Sequence, residues 1–242
     1  MRVRATHCLW ALLFALAPPQ VFGTVLHSVG VARDVSGGSI QYIEHHQYLD
    51  TGEHIVKYFD PAGVVLVAKK LSYPRLPQHP RIQQVDFARE TEVRVVPGIR
   101  TVRIATSQYG RTKEHELPLD EATIIDAGFD FFIRDHWDRF RLGERQVYKF
   151  AMAGQARLLD VSITKVREST EGATFSLTPS NFFVRLILPE IRVDYDGQKR
   201  LKAYHGTTNL DVKARDVVID FSHFHTSEQL ARPMAGWFPQ EQ

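Results

Sequence analysis

The chain has 242 residues, 43% of them apolar and 24% charged, with 30 Lys and Arg against 28 Asp and Glu and a formal charge of +2. So even a balance does not call for a nucleic acid or an anionic membrane surface as partner. Cys8 is the one cysteine, and it lies in a segment read below as cleaved, so thiol catalysis, disulfides and cysteine metal sites are excluded from the remainder.

Residues 1 to 23 combine Arg2 and Arg4, an uncharged apolar run from Cys8 to Ala17, and Pro18-Pro19, with Val21 and Gly23 placed as the −3 and −1 residues of a cut. That pattern is an export signal. The run falls short of the ~20 apolar residues a bilayer demands, and no later stretch approaches that length, so no permanent membrane span is expected. Cys8 precedes the apolar run, which rules it out as a lipidated cysteine. A periplasmic or secreted product follows: one envelope domain, 24–242, with halves 24–115 and 116–225 that share one sheet, and a tail, 226–242.

From Ser39 to Leu71 strand-like runs alternate with turn residues: IQYIEHHQYL, Asp50-Thr51-Gly52, HIVKYF, Asp60-Pro61-Ala62-Gly63, VVLVAKKL. The spacing predicts a three-stranded meander, with Asp-Pro-Ala-Gly suited to a type I turn. VVLVA is apolar at consecutive positions, as in a strand covered on both faces. Residues 72–90 carry Pro74, Pro77 and Pro80 without a period and read as an extended connection. TEVRVV and RTVRIATSQY then alternate as strands with one wet face.

Asp126 to Gly143, DAGFDFFIRDHWDRFRLG, is the organising element. Phe129, Phe132, Ile133, Trp137 and Phe140 recur at helical spacing and form one stripe. Asp130–Arg134, Arg134–Asp138 and Asp135–Arg139 stand at i, i+4 on a back face expected to be solvated. Asp126 is placed to cap the start and Gly143 to end the helix. The aromatic stripe needs a large apolar partner, since each ring buries on the order of 150 to 250 Å².

Strand patterns resume with ERQVYKFAM, ARLLDVSITKV and ATFSL. A short second helix is expected to start at Thr178-Pro179-Ser180-Asn181, with Pro179 in its first turn and Phe182, Phe183, Leu186 and Ile187 on one side, and to stop at Pro189. IRVDY, Asp196-Gly197 and KRLKAYHG form a hairpin, because Asp-Gly favours the primed turns. VKARDVVIDF is the last strand, and the stretch from Ser222 reads as a surface extension. The fold class is therefore α+β, mainly β: a curved antiparallel, half-barrel-like sheet around one amphipathic helix, with a second short helix.

Few residues point to chemistry. Two strand histidines in DFSHFH, His223 and His225, share a face two residues apart and could converge on a divalent metal with Asp220 as third ligand. His45 and His46 are adjacent, so one faces in and one out. His54 and His136 have no further support. The sequence holds no G-x-S-x-G elbow, H-E-x-x-H helix, P-loop or dinucleotide fingerprint, so no cofactor is called for.

On AGFDFFIRDHWDRFRLGE, SNFFVRLIL, IRVDYDGQKRLKAYHGTTNL and VVIDF, residues 124 to 221 resemble uncharacterised exported bacterial β-sheet proteins of the domain-of-unknown-function type. YFDPAGVVLVAKKLSYP, in the first half, is similar in style. A curved antiparallel sheet crossed by a helix behind an export signal also resembles, at the level of fold, the LolA and LolB lipoprotein carriers. That resemblance implies a half-open barrel that holds acyl chains.

Three functions follow as expectations. The first is a non-enzymatic protein that binds a lipid or other hydrophobic ligand in a sheet–helix groove lined by Phe129, Phe132, Trp137, Phe182 and Phe183. The second is an assembly factor whose sheet edges and tail, with Met234, Trp237 and Phe238, dock on an envelope protein. The third is a metal-assisted hydrolase using His223 and His225.

Overall fold

Alternating apolar residues and turn formers along most of the chain produce strands, and the computed structural model describes residues 26–185, 190–208, 210 and 216–225. The predicted signal and the tail 226–242 lie outside the described residues. In order, the chain forms β1 (Leu26–Asp34), β2 (Ile40–Tyr48), β3 (Glu53–Phe59), β4 (Val65–Ser72), β5 (Arg81–Asp86), β6 (Thr91–Pro97), β7 (Thr101–Gln108), β8 (Arg111–Pro118) and β9 (Thr123–Ile125). Helix α1 (Phe129–Asp135) leads to β10 (Arg145–Met152), β11 (Arg157–Ser169), β12 (Gly172–Pro179), α2 (Phe182–Arg185), β13 (Ile191–Asp196), β14 (Leu201–Thr207) and β15 (Asp216–Phe224).

All 15 strands share one sheet, in the order β8-β7-β6-β5-β4-β3-β2-β1-β15-β14-β13-β12-β11-β10-β9. Strands β1–β8 and β10–β15 form two meanders, and the seam between them is the antiparallel pair β1–β15. Among the described strands only β9 lies parallel to its neighbour, β10. The chain passes from one outer edge to the other, from Pro118 on β8 to Thr123 on β9. A link of that length spans at most ~18 Å, so the sheet must curl. Val93, Val95, Val102 and Ile104 from β6 and β7 fill the curl against Leu119, Ile125, Ala151 and Ala153. The architecture is an open, curled, mainly antiparallel sheet, as the sequence predicts.

The helix is shorter than its periodicity suggests. A 3-10 turn over Asp126–Gly128 precedes α1, His136 (φ −105, ψ 14) breaks it, and a second 3-10 turn covers Trp137–Arg139. The aromatic stripe nonetheless reaches one core. Phe132, Ile133, Trp137 and Phe140 pack on Val161, Ile163, Phe175, Val193 and Tyr195 from β11 to β13. Gly143 does take a positive φ of 76, but well beyond the helix end.

Other expectations need correction. The connection 72–90 contains β5, and β1, β8 and β9 carry no strand signal strong enough to predict. The Asp196-Gly197 hairpin forms, but its left-handed residue is Lys199 (φ 58), while Asp196 Oδ1 accepts from the amides of Gln198 and Arg200, both at 2.9 Å. Asn181 caps α2 by accepting from Phe183 N at 2.8 Å, and Pro179 ends β12 instead of starting the helix. Strand β15 runs on to Phe224, so Ser222 and His223 belong to the sheet.

Candidate functional site

The cross-strand register decides which side chains meet on the concave face. Glu44, His46 and Tyr48 of β2 stand opposite Tyr58, Val56 and His54 of β3. His54 and Val56 in turn face Leu71 and Lys69 of β4. Period-2 alternation therefore brings Glu44, His46, Tyr48, His54 and Lys69 to one interior surface.

Four of the polar groups there form an unbroken chain. Glu44 Oε2 lies 2.9 Å from His46 Nε2, His46 Nδ1 lies 3.0 Å from His54 Nε2, and His54 Nδ1 lies 3.1 Å from the Tyr73 hydroxyl. The His54 ring stacks on Tyr48 at 4.1 Å. Burial first, and then the neighbouring Lys69 and Arg134 cations, push His54 down to about 2, so its ring is neutral throughout the physiological range. Desolvation pushes the Tyr73 phenol up, with Tyr48 and Asp130 adding to the effect, so it keeps its proton.

Tyr73 is brought to this place by the connection 73–80, which is strapped to the start of the helix. Gln78 O accepts from Ile125 N at 3.0 Å, Gln78 Nε2 donates to Glu121 O at 3.1 Å, and His79 Nε2 meets Thr123 O at 2.8 Å. Gly128 makes the approach: a Cβ there would sit 2.5 Å from Gln78 O. Lys69 Nζ donates to Asp126 Oδ1 at 3.1 Å, which ties the helix start to β4.

One flank of the back face of α1, with Asp130, Phe131 and Arg134, turns toward this surface, whereas Asp135, Asp138 and Arg139 stay exposed. Asp130 and Arg134 pair at 2.9 Å, with 17% and 30% of their side-chain surface accessible. Desolvation raises the Asp130 carboxyl above its ordinary range, and Arg134 opposes the shift. Asp130 Oδ1 and the Tyr195 hydroxyl are buried beside each other, and Arg134 Nε has no hydrogen-bond partner among the described residues. Phe131 extends from the same face, its ring 4.6 Å from that of Tyr73 and 4.4 Å from the Arg134 guanidinium carbon.

Between these elements opens a pocket of about 300 Å³, walled by Tyr48, Leu49, His54, Tyr73, Pro77 and Phe131. Its walls are mainly apolar and aromatic, and the His54–Tyr73 hydrogen bond lies within them. The volume is at the small end of ligand sites.

The residues predicted to line a groove are placed differently. Phe132 and Trp137 are 2% and 8% exposed and fill the core, with Phe129 packed half-buried against it. Phe182 and Phe183, 62% and 74% exposed, pack edge to face on α2, away from the other three. Asp220 faces the convex side opposite Val31, whereas His223 faces inward opposite Ser28 and meets Leu201 O at 2.8 Å. Sheet alternation therefore parts Asp220 from His223, and among the described residues no three His, Cys, Asp or Glu are grouped to hold a metal ion. His46 faces in, and His45 lies on the other face, 3.0 Å from His27.

Mostly antiparallel strands, one helix in the concavity and an aromatic pocket with a buried polar chain define a mainly β protein with a candidate ligand site. No family of known proteins matches the chain, and no curated protein is similar to it. Among solved structures it is similar to a β-barrel-like protein of Domain of Unknown Function DUF1849 from Brucella abortus, with a TM-score of 0.42 and 6% identity over 83% of this chain and 96% of that one.

Proposed function

We propose that this chain is an exported, non-enzymatic envelope protein that binds a small amphiphile, such as a short acyl or alkyl chain or an aromatic compound, in the pocket between α1 and the β2–β3 hairpin. One observation carries the reading: the pocket of about 300 Å³ joins apolar walls, from Tyr48, Leu49, Pro77 and Phe131, to a buried hydrogen-bonded polar group, from His54 and Tyr73. Apolar walls with few fixed polar groups are what a small-molecule site needs for affinity and orientation. Export rests on the Arg2, Arg4 and Cys8 to Ala17 pattern of the first 23 residues.

The other readings have less support. Strand β8, an outer edge of the sheet, presents RTKEHELP with nearly every side chain exposed and most of them charged, which disfavours docking by strand addition. Asp220 and His223 stand on opposite faces of β15, which leaves the metal reading with less to support it.

The test is calorimetric titration with 1-alkanols of increasing length. Affinity should rise about fourfold per methylene, from ~0.8 kcal/mol each, until the pocket is full, and then level off. Absence of saturable binding by any chain length would refute the proposal.

A further inference from the structure

Resting on that reading, we infer that the pocket prefers a ligand whose polar end is a neutral hydrogen-bond donor, an alcohol or phenol, over an ether or a carboxylate. The inference comes from proton bookkeeping along Glu44–His46–His54–Tyr73. An ionised carboxylate only accepts, so His46 Nε2 carries the hydrogen that bridges to Glu44 Oε2. In the neutral form of His46 that one N–H leaves Nδ1 bare, to accept from His54 Nε2. His54 Nδ1 is then bare in turn and takes the Tyr73 proton. With both imidazoles in the neutral form, the order runs from the carboxylate outward. Tyr73 reaches the pocket with its hydrogen committed and only oxygen lone pairs to offer.

A ligand that donates there completes the chain, whereas one that only accepts meets lone pair against lone pair. A carboxylate also meets negative charge from Glu53, a pocket residue paired with Lys70 at 2.6 Å, and from Asp130, whose charge bears on Tyr48 and Tyr73. Glu44 is not among the pocket residues and reaches the ligand only through the two histidines. Exchanging it for glutamine supplies an amide N–H to His46 Nε2, which lets the whole order reverse and turns the Tyr73 hydroxyl toward the pocket as a donor.

The experiment titrates the full chain and its Glu44→Gln variant with 1-octanol, heptyl methyl ether and octanoate near pH 7.5. In parallel, ¹⁵N spectra of the imidazoles read the tautomers of His46 and His54. The unsubstituted chain should bind octanol roughly threefold to tenfold more tightly than the ether, the net value of one hydrogen bond, and octanoate most weakly. In Glu44→Gln the octanol-to-ether ratio should fall toward one. His54 should carry its hydrogen on Nε2 in the unsubstituted chain, and an Nδ1–H tautomer there would overturn the inference without any ligand. Equal binding of all three compounds would also overturn it while leaving the pocket reading intact. Tighter binding of octanoate, lost in Arg134→Met, would overturn it by assigning the polar end to Arg134. No binding of any compound would refute the pocket reading and this inference together.

Discussion

Phe131 and Phe132 are neighbours on α1 that the structure gives opposite tasks, and replacing each by alanine separates them. Phe132 is 2% exposed and touches Tyr148, His136 and Phe140 with ring centroids 4.8, 4.3 and 6.3 Å away. A buried phenylalanine truncated in a packed core costs ~3–5 kcal/mol, a large part of the ~5–15 kcal/mol that holds a domain together. Phe131 is half-buried, and its firm partners are the Tyr73 ring and the Arg134 guanidinium. An aromatic pair and a cation–π contact are together worth ~1–2 kcal/mol. Urea unfolding followed by tryptophan fluorescence should therefore show a large fall in midpoint for Phe132→Ala and a small one for Phe131→Ala, with unchanged slopes. Calorimetric titration with 1-octanol should show the reverse order: binding retained by folded Phe132→Ala and reduced at least tenfold in Phe131→Ala. Equal destabilisation by the two variants, with equal retention of binding, would place Phe131 in the core and refute the reasoning.

Acid should destabilise the fold in a window set by the buried histidines. His54 falls from 6.5 to about 2 and His45 from 6.5 to about 4, both first through burial. Between those values the unfolded chain binds the proton and the folded one does not, so stability rises with pH and is lost as pH drops below 6.5. His54 alone contributes up to ~1.4 kcal/mol per pH unit, and urea midpoints from pH 7.5 to 5 should show a shallower dependence in His54→Gln. An unchanged slope would contradict its burial as a neutral ring. Arg134→Met strands the Asp130 carboxylate and should lower stability by ~1–3 kcal/mol, less than for a wholly dry pair because both side chains keep some access to water, with Asp130→Asn added recovering part of the loss in the same unfolding assay. Gly128→Ala would push a Cβ against Gln78 O and should cost ~1–3 kcal/mol by thermal unfolding while weakening 1-octanol binding, because the displaced connection carries Tyr73.

Much of the sheet can be read from local pattern. TEVRVV alternates because one face of β6 is core and the other solvent, and Asp60-Pro61-Ala62-Gly63 turns as it reads, with Gly63 at φ 90. The aromatic stripe of α1 likewise declares its core face. Strand β8 is hidden because an edge with most side chains in solvent has no reason to alternate. Trp137 and Phe140 fit a helical period yet sit on a 3-10 turn and extended backbone, since tertiary packing on Phe175 and Tyr195 fixes them.

The site is less legible because long-range contacts assemble it. Alternation could have joined Glu44 to His46, and the Asp50-Thr51-Gly52 turn could have set His54 opposite Tyr48. Nothing local joins Tyr73, 19 residues beyond His54, or turns Phe131, Asp130 and Arg134 inward from a face that reads as solvated. The charges on that face obscure it, because an i, i+4 ion pair looks the same in sequence whether it faces water or a curled sheet.

The central claim is that a ligand occupies the pocket between α1 and the β2–β3 hairpin, and a ¹H–¹⁵N NMR titration of the labelled chain with 1-octanol tests it most directly. The account predicts saturable shifts concentrated at Tyr48, Gly52, His54, Tyr73 and Phe131. Shifts centred on Phe182 and Phe183, or no saturable change at all, would contradict it.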